Sequence, residues 1–448
     1  MHPLSRYYPN WSLEHEFLLH SLGRQWPENS LALQTTAPQL DWQRLFEVAS
    51  PDLIAFLGFK IRENGLIRQC PPQLLLEADH ARRATAARWL RLRFELRNLA
   101  SQLKREGVVF VVLKGALLAF NAYPDSSLRS VSDVDLLVRA EGLAQTMRLI
   151  DEAGFRCPER HEYAHPRFLK EFVVPGEEIS IPLEKPGTPA LIEVHTQLDS
   201  TEPWFPVPIE TVWEHVEEVD WNDIKIPVLD PHEFLFHLVL HLSRGHFFSL
   251  GLRPLLDVHL WVELQEKRLD WERIAEECVR RRYGDWMYLT LKMVSDCFST
   301  PIPQEFFARL EAPLQIERLQ VLAYEQIWAD HRAQSVVPPR LAITFSQPSA
   351  GRAISSLFRR MGPEASFEGS TIPARNTSKN ARRFKSLRRV FHELRFKVPQ
   401  YLRAWRGGSL ALSSVRRAAR LVRGQEEIRS ILMTQERPRE EQSKVVNL

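Results

Sequence analysis

The chain has 448 residues, 44% hydrophobic and 26% charged, with a formal net charge of +3, a balance that places it among globular proteins and gives it room for about three domains. No apolar run approaches the roughly eighteen residues that a transmembrane helix needs. The opening MHPLSRYYPNWSLEHEF lacks a basic segment followed by an apolar one, so the expectation is a cytoplasmic protein without a secretory signal. Cys70, Cys157, Cys278 and Cys297 are scattered without a CxxC pair, which argues against a disulfide framework and a zinc site.

The modest net charge hides an asymmetry. From Gly351 to Leu448 there are 22 Lys and Arg against 8 Asp and Glu, a net of +14, which leaves −11 for positions 1–350. The two parts therefore meet different surroundings.

Residues 1–40 have few periodic apolar positions and read as a loosely packed lead-in to an N-terminal helical region spanning 1–105. Trp42 to Ser50 reads as helical and Leu53 to Leu57 continues apolar. From Gln73 to Arg105 the spacing of Trp89, Leu92, Leu96, Leu99 and Leu103 predicts a long amphipathic helix. Its arginine-rich face reads as solvated rather than as a nucleic-acid surface.

A core follows over 106–205. Val108 to Leu113 is a short, β-branched apolar run ending at Lys114-Gly115, and reads as a buried strand. Ala116 to Ala122 then reads as a helix, Pro124 to Ser127 as a turn, and Ser132 to Val138 as a second strand. Residues two apart on a strand share a face, so Asp133 and Asp135 project side by side with Cβ atoms roughly 6 to 7 Å apart. Two anions at that spacing repel and call for a cation. Mg²⁺, which takes hard oxygen ligands and substrate phosphates, suits them; the bland reading is a solvated strand end.

Leu143 to Ala153 reads as a helix stopped by Gly154. His161-Glu162-Tyr163-Ala164-His165 matches the letters of an HExxH zinc pattern, but Pro166 turns His165 away from helical dihedrals, so the match reads as chance. Pro182 to Pro189 is a turn region. In the strand Ala190 to His195, alternation puts Leu191, Glu193 and His195 on one face. Glu193 there is either a third carboxylate for a metal site or an exposed residue on an edge strand.

Glu202 to Asp230 reads as an aromatic, acidic connector. Positions 206–335 read as a helical domain, with Asp230 as N-cap and Pro231 in the first turn of its first helix. His237 and His241 lie four apart on one face of it and read as a core or substrate-lining pair rather than a zinc site. Leu255 to Leu264, Trp271 to Arg282, Trp286 to Phe298 and Phe306 to Trp328 read as four more helices. Positions 336–448 form a basic tail, partly disordered with an amphipathic helix. In it Arg382, Arg383, Lys385, Arg388, Arg389, Arg395, Lys397, Arg403 and Arg406 interleave with Phe384, Phe391, Phe396, Tyr401 and Trp405. That pattern suits an anionic lipid surface or RNA, beside the plain reading of a solvated tail.

Leu113-Lys114-Gly115 with its Leu-rich helix, Tyr123-Pro124, Arg129 and Ser132-Asp133-Val134-Asp135-Leu136-Leu137-Val138 resembles the bacterial nucleotidyltransferases that carry an LKG and DxDLLV signature, within the polymerase-β-type superfamily. The resemblance covers roughly residues 40–330. It implies an α+β fold, a small mixed β-sheet nucleotidyltransferase core with flanking helical domains, and helices from Pro231 onward, with Arg253 and Asp257, roofing the cleft. The departure is Lys114-Gly115 where the superfamily has Gly-Gly or Gly-Ser, with a longer gap to Asp133.

As activity the resemblance implies Mg²⁺-dependent transfer of a nucleoside monophosphate from ATP or another NTP to an unknown hydroxyl acceptor. Asp133 and Asp135 would hold two metal ions, with Glu193 sharing one. Lys114 and the Gly115 amide would position the triphosphate, Arg129 would neutralise charge on the leaving pyrophosphate, and His195 would support the ligands. Two alternatives stand beside this one: a non-catalytic relative that binds a nucleotide or a partner, and an RNA-modifying enzyme of the tRNA nucleotide-adding type. With a lipid-binding tail the protein would sit peripherally at the inner face of the membrane.

Overall fold

The computed structural model describes residues 3–24, 27–155, 180–184, 191–198, 209–221, 224–329 and 412–435. The chain divides into two compact units, Met1–Ile327 with Ile431–Leu448, and Trp328–Ser430. The HExxH letters at 161–165, Cys157 and the basic, aromatic positions 382–406 lie outside the described residues.

The first unit opens with helices α1 (Leu13–Leu22), α2 (Pro27–Thr36), α3 (Trp42–Ala49), α4 (Ile54–Glu63) and α5 (Pro72–Arg105). The expectation of a loosely packed lead-in is corrected here. Phe17, Leu18, Leu19 and Leu22 are buried, and the Tyr7 ring stacks on Tyr324 with centroids 6.0 Å apart. The apolar residues of α1 run consecutively, as in a helix covered on several sides, so no single-face periodicity marks it.

Helix α5 is 34 residues long, about 51 Å at the usual rise, and buries Trp89, Leu92, Leu96, Leu99 and Leu103 as its spacing requires. Helix α4 lies tight against it. A Cβ at Gly58 would fall 2.3 Å from the Ala78 Cβ, and Arg62 Nη2 donates to both oxygens of Asp79 at 2.8 Å.

Next come β1 (Phe110–Val112), α6 (Lys114–Asn121), β2 (Val134–Val138), α7 (Leu143–Glu152), β3 (Ser180–Glu184) and β4 (Leu191–His195). They build a four-stranded mixed sheet in the order β1-β2-β4-β3. The β1–β2 and β3–β4 pairs are antiparallel, and β2 and β4 run parallel. Every residue of β1 and β2 is buried, because helices cover the sheet where a one-sided sheet would alternate.

The 202–230 connector is also corrected. Past a short helix α8 (Ile209–Trp213) it holds an antiparallel hairpin, β5 (Val216–Trp221) with β6 (Ile224–Leu229). Trp221 anchors the hairpin, with its ring 5.9 Å from Trp89 and 5.8 Å from Phe120. The acidic residues of β5 masked the alternation.

Helices α9 (Pro231–Leu240), α10 (Arg253–Leu264), α11 (Trp271–Arg281), α12 (Gly284–Phe298), α13 (Gln304–Leu310) and α14 (Ile316–Ile327) complete the unit. Asp230 Oδ1 caps α9 by accepting from the His232 and Glu233 amides at 2.9 Å. The single helix expected over Phe306 to Trp328 is two. Pro313 bars Ala312 from helical dihedrals, and Glu311 and Gln315 take left-handed φ of 58° and 59°. Beyond this region α15 (Leu412–Gln435) buries Ala418, Ala419, Leu421, Ile428 and Leu432. The architecture is α+β, a small mixed sheet amid helices. Among the described residues no helix is long and apolar enough to cross a membrane.

Candidate functional site

The parallel pairing of β2 with β4 sets Asp135 directly opposite Glu193, so the two carboxylates leave the same face of the sheet. Alternation puts His195 on that face too. One donor atom each from Asp135, Glu193 and His195 lie within 4.8 Å of one another. His195 Nε2 is 3.0 Å from Asp135 Oδ1 and 3.9 Å from Glu193 Oε2. Asp133, two residues before Asp135 and half-buried, stands outside this trio.

The two aspartates differ in charge environment. Burial alone would raise the Asp135 carboxyl. The Lys114 ammonium, 3.1 Å from Oδ1, and the His195 hydrogen bond outweigh that and hold it well below the usual carboxylate range. Ionised, Asp135 can only accept, so His195 Nε2 is the donor. Asp133 is shifted the other way, first by desolvation and then by repulsion from Asp135.

Lys114 owes its position to local strain. It does not break the chain before α6 but opens that helix, with a left-handed φ of 41°, an arrangement that costs a non-glycine residue about 1–3 kcal/mol. The next residue holds it there. Gly115 is buried, and a Cβ on it would lie 2.7 Å from Arg129 Nη1, which donates to the Gly115 carbonyl at 3.1 Å.

Arg129, expected beside a leaving group, lies buried in the strand-to-strand loop. The residue is 6% exposed, and its guanidinium is bound at two points by Asp257, Nε to Oδ1 and Nη2 to Oδ2, both at 2.8 Å. Tyr123 Oη donates to the same Asp257 Oδ1 at 2.9 Å, and Arg253 Nη1 reaches the Ser130 carbonyl at 3.0 Å. Arg129 fastens the strand-to-strand loop to helix α10; its charge is already matched. Gly115 makes room for the guanidinium.

Sequence reasoning underrated one side of the site. After α9 the chain enters a π-helical turn, His241–Gly245, a feature frequent at functional sites, and then places Phe247 and Phe248 at φ of 45° and 61°. The His237 and His241 rings are 6.1 Å apart, and those of His241 and His246 4.5 Å apart. Burial first, and then the positive charge of Lys114, push all three imidazoles below the usual histidine range. Asp135 acts on His237 and His241, and Glu193 on His246, so the histidines border the carboxylates. The i, i+4 spacing of His237 and His241 is legible in the sequence. The π-turn that adds His246 has no sequence signal.

A divalent cation fits the donor set: two carboxylates face each other from adjacent strands with an imidazole beside them. Lys114 and His195 both address Oδ1 of Asp135, and a carboxylate offers about four lone-pair sites.

A family model described as "Uncharacterised nucleotidyltransferase" matches residues 38–299, from just after α2 to just past α12. No curated protein matches the chain.

Proposed function

Because the chain belongs to the uncharacterised nucleotidyltransferase family, we propose that it transfers a nucleoside monophosphate from an NTP to a hydroxyl acceptor with Mg²⁺ as cofactor. The observation that carries the reading is the register pairing of Asp135 with Glu193 beside His195. When bound, two Mg²⁺ ions would supply charge for the attacking and leaving oxygens. Asp133, Asp135 and Glu193 would hold them.

The protein's own groups prepare that site. The Lys114 ammonium and the His195 hydrogen bond outweigh burial and keep Asp135 ionised, so it offers ligand electrons at neutral pH. Lys114 spends one of its three donors on Asp135, which leaves two for a phosphate oxygen. His195, by donating to Oδ1, orients the carboxylate. Arg129 positions this machinery without touching the reacting atoms, since Asp257 holds it in the interior.

A second reading has its own observation. Lys114 already sets a positive charge on Asp135 at 3.1 Å, as it would in a relative that keeps the fold to bind a nucleotide without turnover. Incubation with labelled ATP, GTP, CTP or UTP, Mg²⁺ and cell extract separates the two. Transfer is expected, and it should vanish in Asp133→Asn and Asp135→Asn. Label transfer that survives both substitutions overturns the assignment, while nucleotide binding indifferent to Mg²⁺ with no transfer favours the binder. The +14 charge of positions 351–448 supports an anionic lipid or RNA partner for that segment; binding of either should weaken steeply with salt.

A further inference from the structure

A groove of about 460 Å³ lies between helix α5 and the loop before β2, within the size of small-molecule sites, roughly 300–1,000 Å³. One wall is a stripe of α5 at three- and four-residue spacing, running from Asp79 through Arg82 and Arg83 to Trp89 and Leu90, which a helix sets on one side. The other wall is Asp125, Ser126 and Ser127. The charges of the lining are paired with one exception. Asp79 accepts two hydrogen bonds of 2.8 Å from Arg62. Asp125 accepts from Arg82 Nη2 at 3.1 Å, and Arg82 Nε donates to Ser127 Oγ at 2.9 Å. That guanidinium is therefore fixed in place with three of its five N–H groups left over. Arg83 is exposed and has no hydrogen bond or ion pair among the described residues. Each carboxylate of the lining has its own guanidinium, so the groove carries one net positive charge, that of Arg83. Its remaining surface is apolar, with Ala86, the buried Trp89 and Leu90, which is 62% exposed.

We propose that this groove binds a small organic monocarboxylate, with its anionic end on Arg83 and the spare N–H groups of Arg82 and its apolar body on Ala86, Trp89 and Leu90. The planar fork of arginine matches a carboxylate. Arg82, already held by Asp125 and Ser127, loses little freedom when it takes part. A neutral apolar molecule would desolvate Arg83 without giving it a partner. A polyanion such as a nucleoside triphosphate is repelled by Asp79 and Asp125 in the same lining. None of the lining residues belongs to the carboxylate site, so the proposal stands independently of the nucleotidyltransferase reading.

The test titrates naphthoate, its neutral amide and a naphthalene dicarboxylate into the full chain by calorimetry. Naphthoate is expected to bind as a single molecule per chain with a Kd of about 1 mM or below. The amide and the dicarboxylate should bind more weakly by about tenfold or more, the scale of a charge-assisted hydrogen bond. Arg83→Gln should weaken naphthoate by a similar factor, and Leu90→Asp, which sets a negative charge on the apolar surface, should abolish its binding. Both substitutions change exposed side chains, so the fold is kept. Lys114→Met, at the carboxylate site, should leave the affinity for naphthoate unchanged. No naphthoate bound, an amide or dicarboxylate that binds as well, or an affinity untouched by Arg83→Gln or Leu90→Asp overturns the proposal. Binding lost in Lys114→Met but kept in Arg83→Gln assigns the anion to the carboxylate site and overturns it too. The comparison of naphthoate with its amide is read on the unmodified protein, so the outcome does not hang on the folding of a variant.

Discussion

Arg129 and Asp257, 128 positions apart in the chain, form a buried ion pair with two hydrogen bonds of 2.8 Å. It ties the loop before β2 to helix α10, and through Nη1 it also holds the carbonyl of Gly115. One guanidinium therefore connects the sheet that carries the carboxylates, the turn that carries Lys114 and the helical layer beside them. The pair's value is positional. A buried salt bridge repays little more than its desolvation, but removal of one partner strands a charge.

Asp257→Asn is accordingly expected to destabilise the protein by about 3–5 kcal/mol. Urea unfolding monitored by tryptophan fluorescence measures it. A loss under about 1 kcal/mol would show that water reaches Arg129 and that the latch is not buried in solution.

Two glycines are required by close approach. Gly58→Ala sets a methyl 2.3 Å from the Ala78 Cβ, which has no flexible end to move aside, so α4 must shift from α5 at a cost of about 1–3 kcal/mol. Gly115→Ala instead pushes on Arg129 Nη1, a side chain pinned by Asp257. It should lower stability by a similar amount and also raise the KM for the nucleotide by moving Lys114. A thermal-melt comparison checks both, and an unchanged KM in a folded Gly115→Ala protein would separate the turn from nucleotide binding.

Lys114→Met removes the internal cation from Asp135 while keeping the length of the side chain. Divalent-ion affinity should rise roughly tenfold, since about 1–2 kcal/mol of repulsion between ammonium and metal ion disappears. Nucleotide affinity should fall. Calorimetry with Mn²⁺ and with ATP reads both changes, and unaltered binding of each would mean that Lys114 serves packing alone.

Acid should weaken the fold through its buried histidines. Burial lowers His15 to about 4 and His259 to about 3. A histidine whose folded value lies below its unfolded value of about 6.5 contributes stability that is complete above pH 6.5. That contribution is lost as pH falls toward the folded value, because the unfolded chain takes up the proton first. Each should cost on the order of 1–2 kcal/mol by pH 5. His259→Gln should flatten the decline of melting temperature between pH 7 and 5; an equally steep decline would place the acid sensitivity elsewhere.

Much of this was legible in the chain itself. Leu-rich spacing located α5, the Asp230-Pro231 pair marked the start of α9, and β-branched runs located the strands that carry Asp135 and Glu193, because each signal is local and follows from side-chain periodicity. The α+β architecture and the Asp133, Asp135 and Glu193 carboxylates could be named from such signals and from the family they resemble. The tertiary structure decided which groups meet. Strand register put Glu193 opposite Asp135. The strained turn at Lys114 aimed an ammonium at that carboxylate. A contact 128 residues long in sequence set Arg129 against Asp257 in the interior, and a π-turn brought His246 to the border of the site. None of these has a periodicity, because each depends on the distance between segments far apart in the chain, and that distance is set only when the sheet and helices pack.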